Sequence, residues 1–215
     1  MIITIDGPAG SGKSTVARLL AEKLQIRFLD TGAMYRAVAF AVLQSGTDPS
    51  DAAAVAAAVQ PITLEFRDSR LFLDGQDVTT EIRMPQVTAA SSVVAANPAV
   101  RKKLVELQRI VGRQGSLVTE GRDQGTIVFP DAEHKFFMTA SLTARAERRL
   151  KELQATGAAA ELKEIRESME RRDQQDISRQ HAPLKAADDA LTIDTSGMTI
   201  DDVVRLILNR TGHSA

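Results

Sequence analysis

The chain opens on a short apolar, β-branched run, Met1-Ile-Ile-Thr-Ile, and residues 14–24 then repeat apolar side chains at helical spacing through Val16, Leu19, Leu20 and Leu24. A strand, a loop and a helix are predicted in that order. Four further short apolar segments, 26–29, 116–118, 135–138 and 190–193, read as strands, and helical patterns alternate with them. This alternation predicts an α/β fold in which helices cover a parallel sheet, with the ligand site at the carboxyl ends of the strands. Asp30-Thr31-Gly32, Glu120-Gly121-Arg122-Asp123 and Asp194-Thr195-Ser196 each follow such a strand end.

Other stretches have a different texture. Between 61 and 83 the residues alternate, Ile62-Thr-Leu-Glu-Phe and Leu71-Phe-Leu, with turn signals at Asp68-Ser69 and Asp74-Gly75, which predicts a small antiparallel insert. The alanine-rich segment 52–59 before it reads as a helix, because alanine has the highest helix propensity. Asn97-Pro98 supplies an N-cap and a first-turn proline for a helix reaching about Val111. From 161 to 179 the chain is strongly charged, the ordinary pattern of a solvated helix. Within it Arg172, Asp176 and Arg179 fall at i, i+4 and i+7, so one face would carry two guanidiniums around one carboxylate before His181-Ala-Pro183 ends the helix. That spacing suits either a salt-bridge cluster or a functional face.

The length of 215 residues has room for one α/β domain with insertions, and two independent domains are not expected. Lys and Arg number 27 against 28 Asp and Glu, so nothing points to a nucleic acid held by bulk electrostatics. The absence of Trp and the low aromatic content, 4%, argue against base-stacking platforms. No stretch approaches the ~18 apolar residues of a membrane span, and Met1 leads directly into a strand without a charged leader. A cytosolic monomer is the expectation. With no cysteine, disulfides and thiolate-bound zinc are excluded, and His134, His181 and His213 are scattered without metal-site spacing.

Residues 7–14, Gly-Pro-Ala-Gly-Ser-Gly-Lys-Ser, match every fixed position of the phosphate-cradling motif G-x-x-x-x-G-K-[ST]. Gly7, Gly10 and Gly12 are expected to take positive φ and bring backbone N–H groups onto phosphate oxygens, helped by the partial positive charge of the helix start. Lys13 should reach the β- and γ-phosphates, Ser14 a Mg²⁺ ion, and Thr15 an α-phosphate oxygen. No Asn/Thr-Lys-x-Asp guanine reader is present, the segment 116–120 is a weak match to a metal-holding strand end, and the chain is short for a motor ATPase. Arginines near strand ends and loops are plentiful: Arg36, Arg109, Arg122, Arg145, Arg148, Arg149, Arg172 and Arg179. Planar, bidentate guanidiniums suit phosphoryl transfer between two anions. A kinase with a phosphorylated small-molecule acceptor fits best. An adenylate- or uridylate-type kinase, a sugar or shikimate-type kinase, and a nucleotide-dependent switch stand beside it.

Taken together, GPAGSGKST, LDTGAMYRA at 29–37, EGRDQGT at 120–126, FPDA at 129–132 and RDxxDxxRxxAPL at 172–184 resemble the bacterial cytidylate kinases. The resemblance runs along nearly the whole chain. It implies a five-stranded parallel core flanked by helices, an acceptor-binding insert at 61–96, a lid at 157–184, and transfer of the ATP γ-phosphoryl group to CMP or dCMP with Mg²⁺. By the same resemblance Gly7, Pro8, Ala9, Gly10, Ser11, Gly12, Lys13, Ser14 and Thr15 would hold ATP. Arg36, Arg122 and Arg179 would contact the acceptor phosphate or the transferring group, and Ser92, Arg109 and Asp123 would read the cytosine. Arg172 and Asp176 would reach the ribose, while Thr31 and Tyr35 would line the acceptor pocket. Arg148 or Arg149 faces either ATP or solvent on this reading. Gln175 and Gln124 stand where relatives carry a basic and an aliphatic residue.

Overall fold

A computed structural model describes residues 1–67, 70–155, 157 and 159–213. The Asp68-Ser69 turn signal lies outside the described residues. The chain divides into two units, one made of residues 1–29 and 114–215, the other of residues 30–113.

The first unit is built on a five-stranded parallel sheet. Its strands are β1 (Ile2–Asp6), β2 (Arg27–Asp30), and, numbered past three strands of the second unit, β6 (Leu117–Gly121), β7 (His134–Thr139) and β8 (Leu191–Asp194). Their spatial order is β2-β6-β1-β7-β8. All five predicted strands are present. Most run one to three residues past the apolar core of the pattern, so that Glu120, Gly121 and Asp194 lie inside strands. The register pairs Asp6 with Gly121 and Ile5 with Glu120 across β1 and β6, which brings two polar strand ends side by side. Parallel strands covered on both faces read as continuous apolar runs because neither face meets water.

Helix α1 (Lys13–Leu24) and the C-terminal helix α8 (Ile200–Arg210) pack on this sheet. Ile3, Ile5, Val16, Leu20, Val118, Met138, Val204 and Ile207 form the core, each worth about 1.5–3 kcal/mol of burial. α8 starts on a capping box in which Thr199 and Asp202 satisfy each other's backbone N–H groups. A second, smaller apolar cluster joins α6 (Leu142–Ala155) to α7 (Leu162–Ser178) through Ala146, Ile165 and Met169. α7 is the charged helix of the sequence, ending one residue before Arg179.

The second unit begins with α2 (Thr31–Gln44), whose N-cap Asp30 accepts the Ala33 N–H at 2.7 Å. α3 (Ala52–Val59) follows as predicted, capped by Asp51. The insert forms β3 (Leu64–Arg67), β4 (Arg70–Leu73) and the short β5 (Gln76–Asp77), all antiparallel. α4 (Pro85–Val94) and α5 (Pro98–Arg113) complete the unit, and Asn97 caps α5 through a 2.9 Å bond from the Ala99 N–H.

Candidate active site

The loop between β1 and α1 has the backbone that its glycines predict, with φ of 152° at Gly7, 75° at Gly10 and 88° at Gly12. Gly7 is the strictest of these. A Cβ there would stand 2.0 Å from the Met138 carbonyl oxygen, so the loop can leave β1 beside β7 only without a side chain.

Lys13, Ser14 and Thr15 open α1. Lys13 is buried and curls over the loop, donating to the Pro8 carbonyl at 3.0 Å, with Glu120 of β6 at 3.9 Å. Burial and the neighbouring Arg122 push the Lys13 ammonium well below its ordinary pKa, while Glu120 pulls it back. An anion arriving here would relieve that penalty. The exposed Ser14 hydroxyl donates to Glu120 Oε1 at 3.0 Å. A hydroxyl beside a carboxylate is the oxygen donor set that fits Mg²⁺, an ion held by one or two protein groups together with phosphates and waters.

Arg122 follows β6 and meets the end of α7. Its Nε donates to Asp176 Oδ2 at 2.7 Å, and Arg179 Nη2 reaches Oδ1 of the same carboxylate at 2.5 Å. Burial alone would raise the Asp176 pKa, but Arg122, Arg179 and Arg172 outweigh it and hold the carboxyl below its ordinary value. Burial likewise disfavours the Arg122 cation, and Asp176, joined by Glu120 and Asp6, more than compensates. The spacing of Arg172, Asp176 and Arg179 therefore produces the cluster it predicts. Its strongest partner, Arg122, comes from a different part of the chain.

Asp123 is buried beside Arg122 and heads a π-helical turn over Gln124–Val128. Asp6, the last residue of β1, accepts the backbone N–H groups of Gln124 at 2.8 Å and Gly125 at 2.7 Å. Burial pushes the Asp6 pKa up to about 7 against the pull of those two donors. The Gln124 side chain is buried and its amide oxygen accepts from Thr119 at 2.9 Å, which is how a polar residue is accommodated where the family resemblance leads one to expect an aliphatic one.

Two arginines of α6 also reach this region. Arg145 is buried, donating to the Ala9 carbonyl of the loop at 3.1 Å and pairing with Asp173 of α7 at 2.7 Å. Arg148 bonds Thr195, whose hydroxyl donates to the Ser11 carbonyl at 3.2 Å. Arg149 turns outward to Glu152 at 2.9 Å. The paired arginines thus have a definite register, with Arg148 toward the loop. Gln175 is exposed.

In the second unit, Thr31 is buried at the start of α2, and Arg36 one turn later pairs with Asp30 at 3.3 Å. Tyr35 lies under the guanidinium of Arg101, 5.8 Å from ring centroid to Cζ. Ser92 is half-buried on α4. Arg109, singled out from the sequence, is on the exposed side of α5, whereas Arg101 is buried and donates to the Ala95 carbonyl at 3.3 Å. The buried stripe of that helix is Val100, Arg101, Leu104, Gln108 and Gly112, and Arg109 stands about 100° around the helix from Gln108.

Sequence reasoning missed Asp6, Arg101 and the contact made by Arg145, and gave Glu120 little weight. The signal for Asp6 and Glu120 was their place at the carboxyl ends of adjacent strands, where an acidic residue ending an apolar run has to find a partner.

Comparison with known proteins places this chain among close relatives. A family model described as cytidylate kinase matches residues 3–213. The cytidylate kinase of Pelotomaculum thermopropionicum is 49% identical over 213 residues, covering 97% of this chain and 94% of its own. That of Limosilactobacillus reuteri is 48% identical over 207 residues, covering 94% and 91%. Among solved structures, an uncharacterized protein from Eubacterium ventriosum superposes with a TM-score of 0.56 at 16% identity, covering 99% of this chain and 98% of its own, a likeness of fold alone.

Proposed function

This chain belongs to the cytidylate kinase family and is a kinase that uses ATP to phosphorylate CMP and dCMP, and from that premise we propose how its residues divide the work. The loop from Gly7 to Thr15 binds the ATP phosphates. Lys13 neutralises charge that builds on the β- and γ-oxygens as an acceptor phosphate oxygen bonds to the γ-phosphorus and the bond to the ADP oxygen breaks. Ser14 and Glu120 would hold Mg²⁺, which would supply positive charge against the phosphate oxygens when bound.

Arg122 and Arg179 bind the acceptor phosphate or the transferring group, Arg172 and Asp176 the ribose, and Asp123 the cytosine. Thr31, Tyr35, Arg36 and Ser92 serve the acceptor, and Arg101 joins them in preference to Arg109. The observation that carries this reading is the convergence of Glu120, Arg122, Arg172 and Asp176 within electrostatic reach of the buried Lys13 in the first unit. Positive groups held there at a desolvation cost are poised for anions. Residues 157–184 act as a lid over the nucleotides, so amide exchange along α7 should slow most when donor and acceptor analogues are both bound. The protein acts as a cytoplasmic monomer, which sedimentation of the purified chain would check.

Asp123 selects the base. Cytosine offers an amino donor where uracil offers a carbonyl acceptor, and an ionised carboxylate accepts from the first and repels the second. Asp123→Asn can turn its amide to donate, so the CMP to UMP ratio in kcat/KM should narrow by on the order of tenfold or more. An unchanged ratio would move base selection elsewhere.

A further inference from the structure

Asp6 ends β1, and the phosphate-binding loop begins at the next residue. Its buried carboxylate nevertheless serves a different loop, with Oδ1 on the Gln124 N–H and Oδ2 on the Gly125 N–H. These are the first two N–H groups of the π-helical turn, donors that no carbonyl within the turn can satisfy. Asp123 occupies the position from which an aspartate ordinarily caps such a turn, yet its side chain makes no cap bond there. The cap comes from β1 instead. Gly125 permits the approach, because a Cβ at that residue would lie 3.0 Å from Thr4 Oγ1 and 3.4 Å from Lys135 Cδ, tight against the sheet.

We infer that Asp6 is a positioning residue for base selection: by capping the 124–128 turn from β1, it keeps the Asp123 carboxylate from capping its own turn, so that this carboxylate serves the acceptor base. The inference rests on the reading of Asp123 given above. It makes a strand end on the donor side a determinant of acceptor specificity. Two carboxylate oxygens matter here, because each takes one N–H. An amide at position 6 offers one acceptor and one donor, so it leaves one turn N–H facing another donor, and the adjacent Asp123 is then drawn into the cap.

The test is the CMP to UMP ratio in kcat/KM for Asp6→Asn, Gly125→Ala, Asp123→Asn and the Asp6→Asn/Asp123→Asn double variant, with KM for ATP measured alongside. The expected result is that Asp6→Asn narrows the ratio by on the order of tenfold while KM for ATP stays within about threefold. The double variant should then show no further narrowing than Asp123→Asn alone, because both changes act on one interaction. Gly125→Ala lifts the same turn from the other side and decides the matter if Asp6→Asn does not fold. A purely structural Asp6 would lower CMP and UMP activity together and raise KM for ATP, and that outcome overturns the inference. So does an unchanged ratio in Asp6→Asn and Gly125→Ala when Asp123→Asn narrows it. If Asp123→Asn itself leaves the ratio unchanged, the reading of Asp123 fails and takes this inference with it.

Discussion

Asp176→Asn removes one negative charge and leaves the shape of the side chain nearly intact. The carboxylate it replaces is almost fully buried, bonded to Arg122 at 2.7 Å and Arg179 at 2.5 Å, and within electrostatic reach of Arg172. Taking one partner from a buried ion pair costs about 3–5 kcal/mol, because the remaining charge is left uncompensated. Two features reduce that figure. Asparagine keeps one acceptor oxygen, and the Arg122 side chain is 17% exposed, so water shares its charge. The expected loss is ~2–3 kcal/mol near neutral pH. At roughly 2–4 °C per kcal/mol for a chain of this size, Tm should fall by about 4–12 °C.

The pH dependence of that loss has a definite sign. Burial raises the Asp176 pKa, but the arginines outweigh it, so the native state binds this proton more weakly than the unfolded chain does. The stabilisation is complete above the unfolded value of 3.8 and disappears as pH falls through the lower folded value. Urea unfolding of wild type and Asp176→Asn should therefore show the full gap at about pH 5 and a gap that shrinks below about pH 4. A gap under ~0.5 kcal/mol at neutral pH, or one that widens as pH falls below about 5, would refute the assignment of Asp176 as the buried counter-charge.

Lys13→Ala should lower kcat by about a hundredfold or more with the fold intact, and near wild-type turnover in a folded variant would remove Lys13 from the transition state. Arg101→Ala should raise KM for CMP by on the order of tenfold, whereas Arg109→Ala should change it by less than about threefold, since only Arg101 is turned into the unit. Steady-state kinetics with CMP as the varied substrate checks this, and the reverse order would restore Arg109.

The sheet was legible because each of its strands contains a short apolar run with no solvent face to interrupt it. The phosphate-binding loop was legible because backbone geometry restricts its residue types, and Gly7, pressed against the Met138 carbonyl, shows how tightly. What escaped were polar residues buried for a partner far along the chain. Glu120 and Asp6 lie inside strands whose apolar pattern has already ended, and their partners at Ser14 and at 124–125 are more than a hundred residues away. α5 hid its buried face for a related reason. Arg101 and Gln108 belong to that face but read as solvent positions, so the apolar pattern alone does not mark them as buried. The Arg172, Asp176 and Arg179 cluster was visible because helical spacing is local, but spacing could not supply Arg122. The order of the strands left no trace in any single segment.

The central claim, a kinase whose acceptor is a cytosine nucleotide, is tested most directly by presenting CMP, dCMP, UMP, AMP, GMP and shikimate to the purified protein in one coupled assay of ADP release with ATP and Mg²⁺. CMP and dCMP should give kcat/KM values at least about tenfold above every other acceptor, since a site built around a base-specific hydrogen bond leaves buried groups unpaired with the wrong base. Turnover as fast with UMP, AMP or shikimate, or slow ATP hydrolysis that no acceptor stimulates, would contradict it.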